Sequence, residues 1–143
     1  MGEGEIGELT RRTFERWNAR DFDGLLELFE EDAVWDMTPT GMPGMGAYRG
    51  HRAIRRWFRQ WLEIFPDSFV ESEGIEVRGD WGLATVLQSV SGGSSGAAVP
   101  FHYYGIGRWR DGRLVFVENH LDAENARAAF DAYTRAESSR AFA

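Results

Sequence analysis

Apolar residues in the first half of the chain recur every three or four positions, which is the period of an amphipathic helix. The apolar stripes cover 9–17, 22–29 and 51–65, with polar residues on the opposite sides. Asp21 stands where a side-chain oxygen can cap the second helix, and Pro66 stops the third. The pattern therefore predicts two short successive helices and one longer helix.

A period of two appears after Pro66, and it indicates strands with alternating faces. The pattern predicts four antiparallel strands and a terminal helix, over 69–79, 81–91, 99–110, 114–122 and 123–136. Earlier in the chain, 33–37 reads as a short strand, and 38–49 reads as a loop rich in Gly and Pro. The Gly/Ser segment 91–96 reads as a flexible hairpin loop.

This order of elements predicts an α+β fold, with helices gathered on an antiparallel sheet. A curved sheet wrapped by three N-terminal helices, with a C-terminal helix added, would enclose one pocket. The length of 143 residues fits a single domain. We predict a flexible tail over 1–7, the domain over 8–137, and a second flexible tail over 138–143.

Composition and charge narrow the classes of function. Ten Phe, six Trp and four Tyr are more rings than a small core needs, so we expect them to line a cavity. The formal net charge is −7 and no dense basic run is present, which argues against a nucleic-acid groove. No apolar run is long enough for a membrane span, and no signal pattern is visible at the N-terminus, so we expect a cytoplasmic protein.

Metal and thiol chemistry find little support in the sequence. The chain has no cysteine, which excludes disulfides and zinc–thiolate sites. Its three histidines lack the spacing of a metal site, and no glycine-rich phosphate loop is present. We expect neither a metal nor a cofactor.

Three stretches of the chain resemble the SnoaL-like branch of the nuclear transport factor 2-like superfamily. They are FERWNARDFDGLLELFEEDAVW at 14–35, YRGHRAIRRWF at 48–58, and RWRDGRL at 108–114 followed by Asp122. The resemblance implies a cone-shaped α+β barrel with one deep pocket. The superfamily includes polyketide cyclases, ketosteroid isomerases, epoxide hydrolases, dehydratases and non-catalytic binding domains, so the fold alone does not select a function.

The cyclases are the most similar members at the last strand, where the resemblance implies that Asp122 acts as acid and base in an aldol ring closure. Ketosteroid isomerases carry a tyrosine on the first helix, where this chain has Thr13 and Phe14. Epoxide hydrolases use an Asp–Arg–Asp arrangement, whereas the corresponding strand here reads His102, Tyr103 and Tyr104.

Strand alternation brings candidate acid–base groups together. Glu118, His120 and Asp122 share one face of the last strand, and His102 and Tyr104 share one face of its neighbour. If both faces point into the pocket, imidazole, carboxylate and phenol groups meet there. We therefore take as catalytic candidates Asp122, His120, His102, Tyr104 and Asp36.

Two of these candidates have a structural alternative. Asp122 also stands where it can cap the C-terminal helix, and Asp36 also stands where an Asx turn begins. For substrate binding, the candidates on the pocket wall are Phe14, Trp17, Trp35, Met37, Tyr48, Trp57, Trp61 and Glu118. Trp81 and Trp109 are expected at strand ends or on the outer sheet face, where the partner in a homodimer could cover them.

The leading hypothesis is a cofactor-independent acid–base enzyme of cyclase, isomerase or dehydratase type. Its substrate would be a small hydrophobic molecule with a carbonyl group, such as a polyketide or terpenoid. The alternatives are a non-catalytic module for apolar ligands or assembly, and an epoxide hydrolase.

Overall fold

The computed structural model describes residues 1–91 and 98–141, and the side chains within 1–90 and 99–138. The elements in chain order are α1 (Glu3–Asn18), α2 (Phe22–Glu27), β1 (Phe29–Asp36), a 3-10 turn (Thr38–Thr40), β2 (Ala47–Arg49), α3 (His51–Ile64), β3 (Phe69–Arg78), β4 (Trp81–Ser91), β5 (Ala98–Arg110), β6 (Arg113–His120) and α4 (Ala123–Ala141). Among these residues, no helix has both the length and the apolar character that a bilayer crossing requires.

The strands form one curved, unclosed sheet of six strands in the order β2-β1-β6-β5-β4-β3. Neighbouring strands are antiparallel except β1 and β6, which run parallel. The predicted α+β class is therefore confirmed, and the sheet is mixed because β1 pairs with the last strand. The C-terminal end of β1 is thereby placed beside that of β6, at one end of the sheet.

Each face of the sheet carries its own hydrophobic core. Helices α1, α2 and α3 cover the concave face, where Trp17, Trp57 and Phe58 are buried. On the outer face, Phe130 of α4 packs into a second cluster with Ile106. Residues on both faces of the central strands are therefore buried, which is unusual for a largely antiparallel sheet.

The structure differs from the sequence prediction at several boundaries. Helix α1 begins at Glu3, because Ile6 is fully buried and anchors the segment that the pattern assigned to a tail. Strand β1 begins at Phe29, which pairs with Leu114 of β6. Within the predicted loop 38–49, the last residues form β2.

The sequence also predicted two flexible segments, a C-terminal tail and a hairpin loop. Helix α4 continues to Ala141, so the predicted tail at 138–143 is helical up to that residue. The predicted hairpin loop at 91–96 lies outside the described residues from 92 onward.

The predicted homodimer was expected to form through the outer face of the sheet. Trp81 lies on this face as expected, but Tyr133 of α4 stacks on it with ring centroids 4.6 Å apart. Helix α4 of the same chain therefore covers the surface that a partner was expected to cover. The outer face stays open at Phe69, which is 47% exposed, and dimerisation there remains a prediction.

Candidate functional site

Four small residues at the centre of the sheet create a cavity between the sheet and the helices. Gly82 pairs with Gly107, and Ala84 pairs with Gly105, so the four form a patch on the concave face of β4 and β5. All four line the cavity. Leu114 packs over Gly107, whereas the ordinary contact distances at Gly82 and Gly105 leave room above the sheet, so this patch forms the floor of the cavity.

Aromatic rings form most of the cavity wall, and they come from helices and strands alike. The rings belong to Phe14, Trp17, Phe29, Trp35, Trp57, Phe58, Trp61, Phe101, Tyr103 and Trp109. Leu121, which is 42% exposed, marks the mouth. The cavity has an empty volume of about 1010 Å³ with the solvent in its open mouth included.

Trp57 of α3 is the centre of the ring network. Its ring lies 5.2 Å from that of Trp35, 5.5 Å from Trp61 and 6.4 Å from Trp17, measured between centroids. Its indole N–H donates to Sδ of Met45 at 3.2 Å. Tilted and offset ring pairs of this kind add stability beyond the area that they bury. The network fixes the wall before any ligand enters.

The threonines in the lining do not offer their hydroxyl groups to the cavity. Thr10 donates to the carbonyl of Ile6 at 2.7 Å, and Thr13 donates to the carbonyl of Thr10 at 2.6 Å. Thr40 donates to the carbonyl of Met37 at 2.7 Å. With these hydroxyls committed to the backbone, the threonines add little polarity to the wall.

Three other lining side chains are polar and largely uncommitted: Gln88, Tyr103 and Asn119. Gln88 and Tyr103 make no hydrogen bond with any described residue. The amide of Asn119 makes one long contact, 3.4 Å from Nδ2 to the carbonyl of Asp36. Burial raises the pKa of the Tyr103 hydroxyl, which therefore stays protonated. The ring is only half-buried by area, because part of it faces the cavity.

Charged groups are missing from the lining that the structure describes. No Asp, Glu, Arg or His is among those side chains. Over the same described parts of the chain, no three His, Asp or Glu side chains come together as metal ligands. The indole N–H groups of Trp17, Trp57 and Trp61 donate to Ser68 or Met45. The polar chemistry inside this cavity therefore comes mainly from the two carboxamides and the phenol.

Three of the predicted catalytic residues lie on the side of the sheet away from the cavity. His120 and Glu118 share a face as predicted and contact each other, with 2.6 Å between Nε2 and Oε1. Tyr133 of α4 donates to the other Glu118 oxygen at 2.6 Å. Tyr104 pairs with His120 beneath α4, and His102 is exposed beside Glu73. The expectation that Tyr104, His102 and His120 point into the pocket is therefore corrected.

The two aspartates take the structural alternatives that the sequence left open. Asp122 is exposed, and its Oδ1 accepts from the backbone N–H of Asn125 at 2.8 Å, as an N-cap does. Oδ1 of Asp36 accepts from the N–H and the hydroxyl of Thr38, at 2.9 and 2.7 Å. Neither aspartate lines the cavity.

Replacing the cap tests this assignment of Asp122. We expect Asp122→Ala to lower the free energy of unfolding by about 1 kcal/mol, because the orphan N–H groups of α4 lose their acceptor. Asp122→Asn keeps an acceptor oxygen and should cost only a small part of that. Urea denaturation measures both variants. A loss of cavity binding in Asp122→Ala, at unchanged stability, would contradict the cap.

The wall candidates are mostly placed where the sequence predicted. The cavity is lined by Phe14, Trp17, Trp35, Met37, Trp57 and Trp61. Tyr48 instead packs behind Trp57, and Glu118 lies on the outer face. Trp109 was expected at a strand end or outside, but it lines the cavity and is 2% exposed.

The sequence pattern did not single out Gln88, Tyr103 and Asn119 as lining residues, nor the small residues beside them. The signal for the small residues was present, because 82–84 and 105–107 alternate small and large apolar residues. In a strand buried on both faces, the small positions mark the face where another group approaches closely. No comparable signal singled out Gln88 or Asn119.

Comparison with known proteins supports the fold. The family model described as SnoaL-like domain matches residues 10–117. No curated protein matches the sequence significantly.

Solved structures share the fold at low sequence identity. A nuclear transport factor 2-like protein of unknown function from Burkholderia pseudomallei is 21% identical, with a TM-score of 0.73 over 89% of this chain and 97% of that one. TerC, co-crystallised with polyporic acid, is 18% identical, with a TM-score of 0.74 over 89% and 98%. A putative SnoaL-like polyketide cyclase from Jannaschia sp. is 19% identical, with a TM-score of 0.72 over 91% and 94%.

Proposed function

Because the chain belongs to the SnoaL-like domain family, we propose that its cavity binds a small, uncharged and largely planar hydrophobic molecule. The observation that carries this proposal is a ring-lined cavity above a floor of small residues. A flat molecule fits such a site, since rings stack on its faces while the floor admits its body. TerC, which shares the fold, was co-crystallised with polyporic acid.

The electrostatics favour a neutral ligand. A buried carboxylate or ammonium group needs a counter-charge, because an isolated charge loses its hydration on entering an apolar site. The described lining offers no such counter-charge. The chain as a whole has a net charge of −7, which further disfavours an anionic ligand.

Two related fluorescent dyes test both parts of the proposal. N-phenyl-1-naphthylamine is neutral, and 8-anilino-1-naphthalenesulfonate has the same ring system with one sulfonate added. We expect the neutral dye to bind at one site, roughly tenfold or more tighter than the sulfonate, because the cavity cannot pair the charge. Fluorescence titration gives both affinities and the stoichiometry. Equal affinities, or no saturable binding of the neutral dye, would count against the proposal.

The second candidate is a cofactor-free acid–base enzyme of cyclase or isomerase type acting on a carbonyl compound. It is favoured by Tyr103, which lines the cavity and whose protonated hydroxyl is a hydrogen-bond donor for developing negative charge. The putative SnoaL-like polyketide cyclase from Jannaschia sp. has the same fold. Proton abstraction also needs a base, and the described lining holds no carboxylate or imidazole. The binding role is therefore the better supported one.

A further inference from the structure

Gln88, Tyr103 and Asn119 form a diagonal row across β4, β5 and β6 on the cavity side of the sheet. Gln88 of β4 pairs with Phe101, two residues before Tyr103 on β5. Asn119 of β6 pairs with Gly105, two residues after Tyr103. Diagonal neighbours on one face of an antiparallel pair lie about 7–8 Å apart, within reach of long side chains. Tyr103 is therefore flanked on both sides by a carboxamide.

The two carboxamides are buried without adequate partners. Gln88 is 5% exposed and Asn119 is 3% exposed. Oδ1 of Asn119 and both polar atoms of Gln88 have no hydrogen-bond partner among the described residues. These atoms are not sealed from solvent, so they open onto the cavity. A ligand that displaces solvent there must replace its hydrogen bonds, because leaving a buried amide group unpaired is costly. Amide groups that face a cavity without protein partners indicate a ligand that supplies the missing hydrogen bonds.

Gly105 leaves space for a ligand at this row. A Cβ atom at Gly105 would lie 3.7 Å from Oδ1 of Asn119 and 4.0 Å from Cε2 of Tyr103. The absent side chain therefore opens the gap between these two polar residues. A planar ring lying over Gly105 has its edge beside both.

We propose that this row recognises a ring-bound carbonyl, as in an aromatic ketone or a quinone, with Tyr103 donating the hydrogen bond and the flanking carboxamides supporting it. This inference rests on the proposed binding of a neutral planar molecule and adds the functional group of that molecule. The Tyr103 O–H and the Gln88 amide N–H groups are donors matched to a neutral carbonyl oxygen, whereas Oδ1 of Asn119 is an acceptor and suits a hydroxyl group beside that carbonyl. A ligand carboxylate would instead need a positively charged side chain beside these three residues.

A matched pair of probes tests the row: 9-fluorenone, and fluorene, which has the same three rings but no carbonyl. Displacement of N-phenyl-1-naphthylamine gives the affinity of each. We expect Tyr103→Phe to weaken fluorenone binding about tenfold and to leave fluorene within twofold, because the variant loses one hydrogen bond and keeps the ring. Tyr104→Phe is the control, since Tyr104 lies under α4. Infrared spectra of bound fluorenone should show the carbonyl stretch at lower frequency in the wild type than in Tyr103→Phe.

The outcomes separate this inference from the proposed function. If Tyr103→Phe weakens both probes equally, or neither, Tyr103 contributes packing only and the carbonyl site is overturned, while cavity binding stands. An unchanged carbonyl stretch in the variant overturns it as well. If the wild type fails to bind N-phenyl-1-naphthylamine at all, the proposed function itself has failed.

Discussion

Leucine at position 105 is expected to close the cavity and to weaken binding of N-phenyl-1-naphthylamine roughly 100-fold, with the fold retained. Gly105 lies on the cavity floor, and its missing side chain provides room for a ligand. A Cβ atom there meets its neighbours at ordinary contact distances of 3.7 and 4.0 Å, so the backbone position accepts a side chain, whose remaining atoms extend into the cavity. Any ligand then competes with it for space, and overpacking by a few methylene groups costs about 1–3 kcal/mol.

A glycine elsewhere in the sheet gives the matched control for this variant. Gly74 lies in β3, outside the cavity lining, and nothing would lie within 4 Å of a Cβ atom there. Gly74→Leu should bind the dye as the wild type does, while Gly105→Leu should unfold at an equal or higher urea concentration than the wild type. Full dye binding by a folded Gly105→Leu would place the ligand site somewhere other than this cavity.

Removing the Trp57 ring should have the largest effect on stability. Trp57 is 5% exposed and contacts the rings of Trp17, Trp35, Phe58 and Trp61. We expect Trp57→Ala to lower the free energy of unfolding by about 3–5 kcal/mol, since truncating a buried Trp loses its transfer free energy and leaves space that the core fills only in part. Urea denaturation, extrapolated linearly to zero denaturant, measures the change.

Two further variants keep this prediction testable if Trp57→Ala fails to fold. Trp57→Phe retains one ring and should fall between wild type and alanine. Ile64→Ala removes a side chain that is 60% exposed at the end of the same helix, and it should change stability by no more than about 0.5 kcal/mol. A loss below about 1 kcal/mol in Trp57→Ala would show that the ring network does not hold α3 on the sheet.

Hydrophobic periodicity was a sound guide wherever an element buries only one side. The stripe on α3 placed Trp57 and Trp61 toward the interior, and both line the cavity. The charged residues of that helix, such as Arg52 and Arg56, are exposed on its other side. The helix could therefore be oriented from its sequence, because water and protein interior select opposite residue types.

The same reasoning could not orient the central strands. Glu118, Asn119 and His120 are consecutive and all buried, since the Thr38–Thr40 turn packs against β6 on the cavity side and α4 covers its other face. Alternation correctly placed Glu118 with His120, yet it could not say which face meets the cavity. Tyr103 and Tyr104 present the same ambiguity, and the acid–base hypothesis rested on the face that turned out to lie under α4.

The sequence by itself determined the α+β class, the inward faces of the helices and most of the aromatic wall, and it left Asp122 open between a helix cap and a pocket acid. Tertiary structure alone decided which strand face lines the cavity, and hence that Tyr103 and Asn119 lie inside it while Tyr104 and His120 do not. The physical reason is that local periodicity records only whether a side chain is buried. What buries it depends on the packing of α4 against the outer face, through contacts between segments distant in the chain.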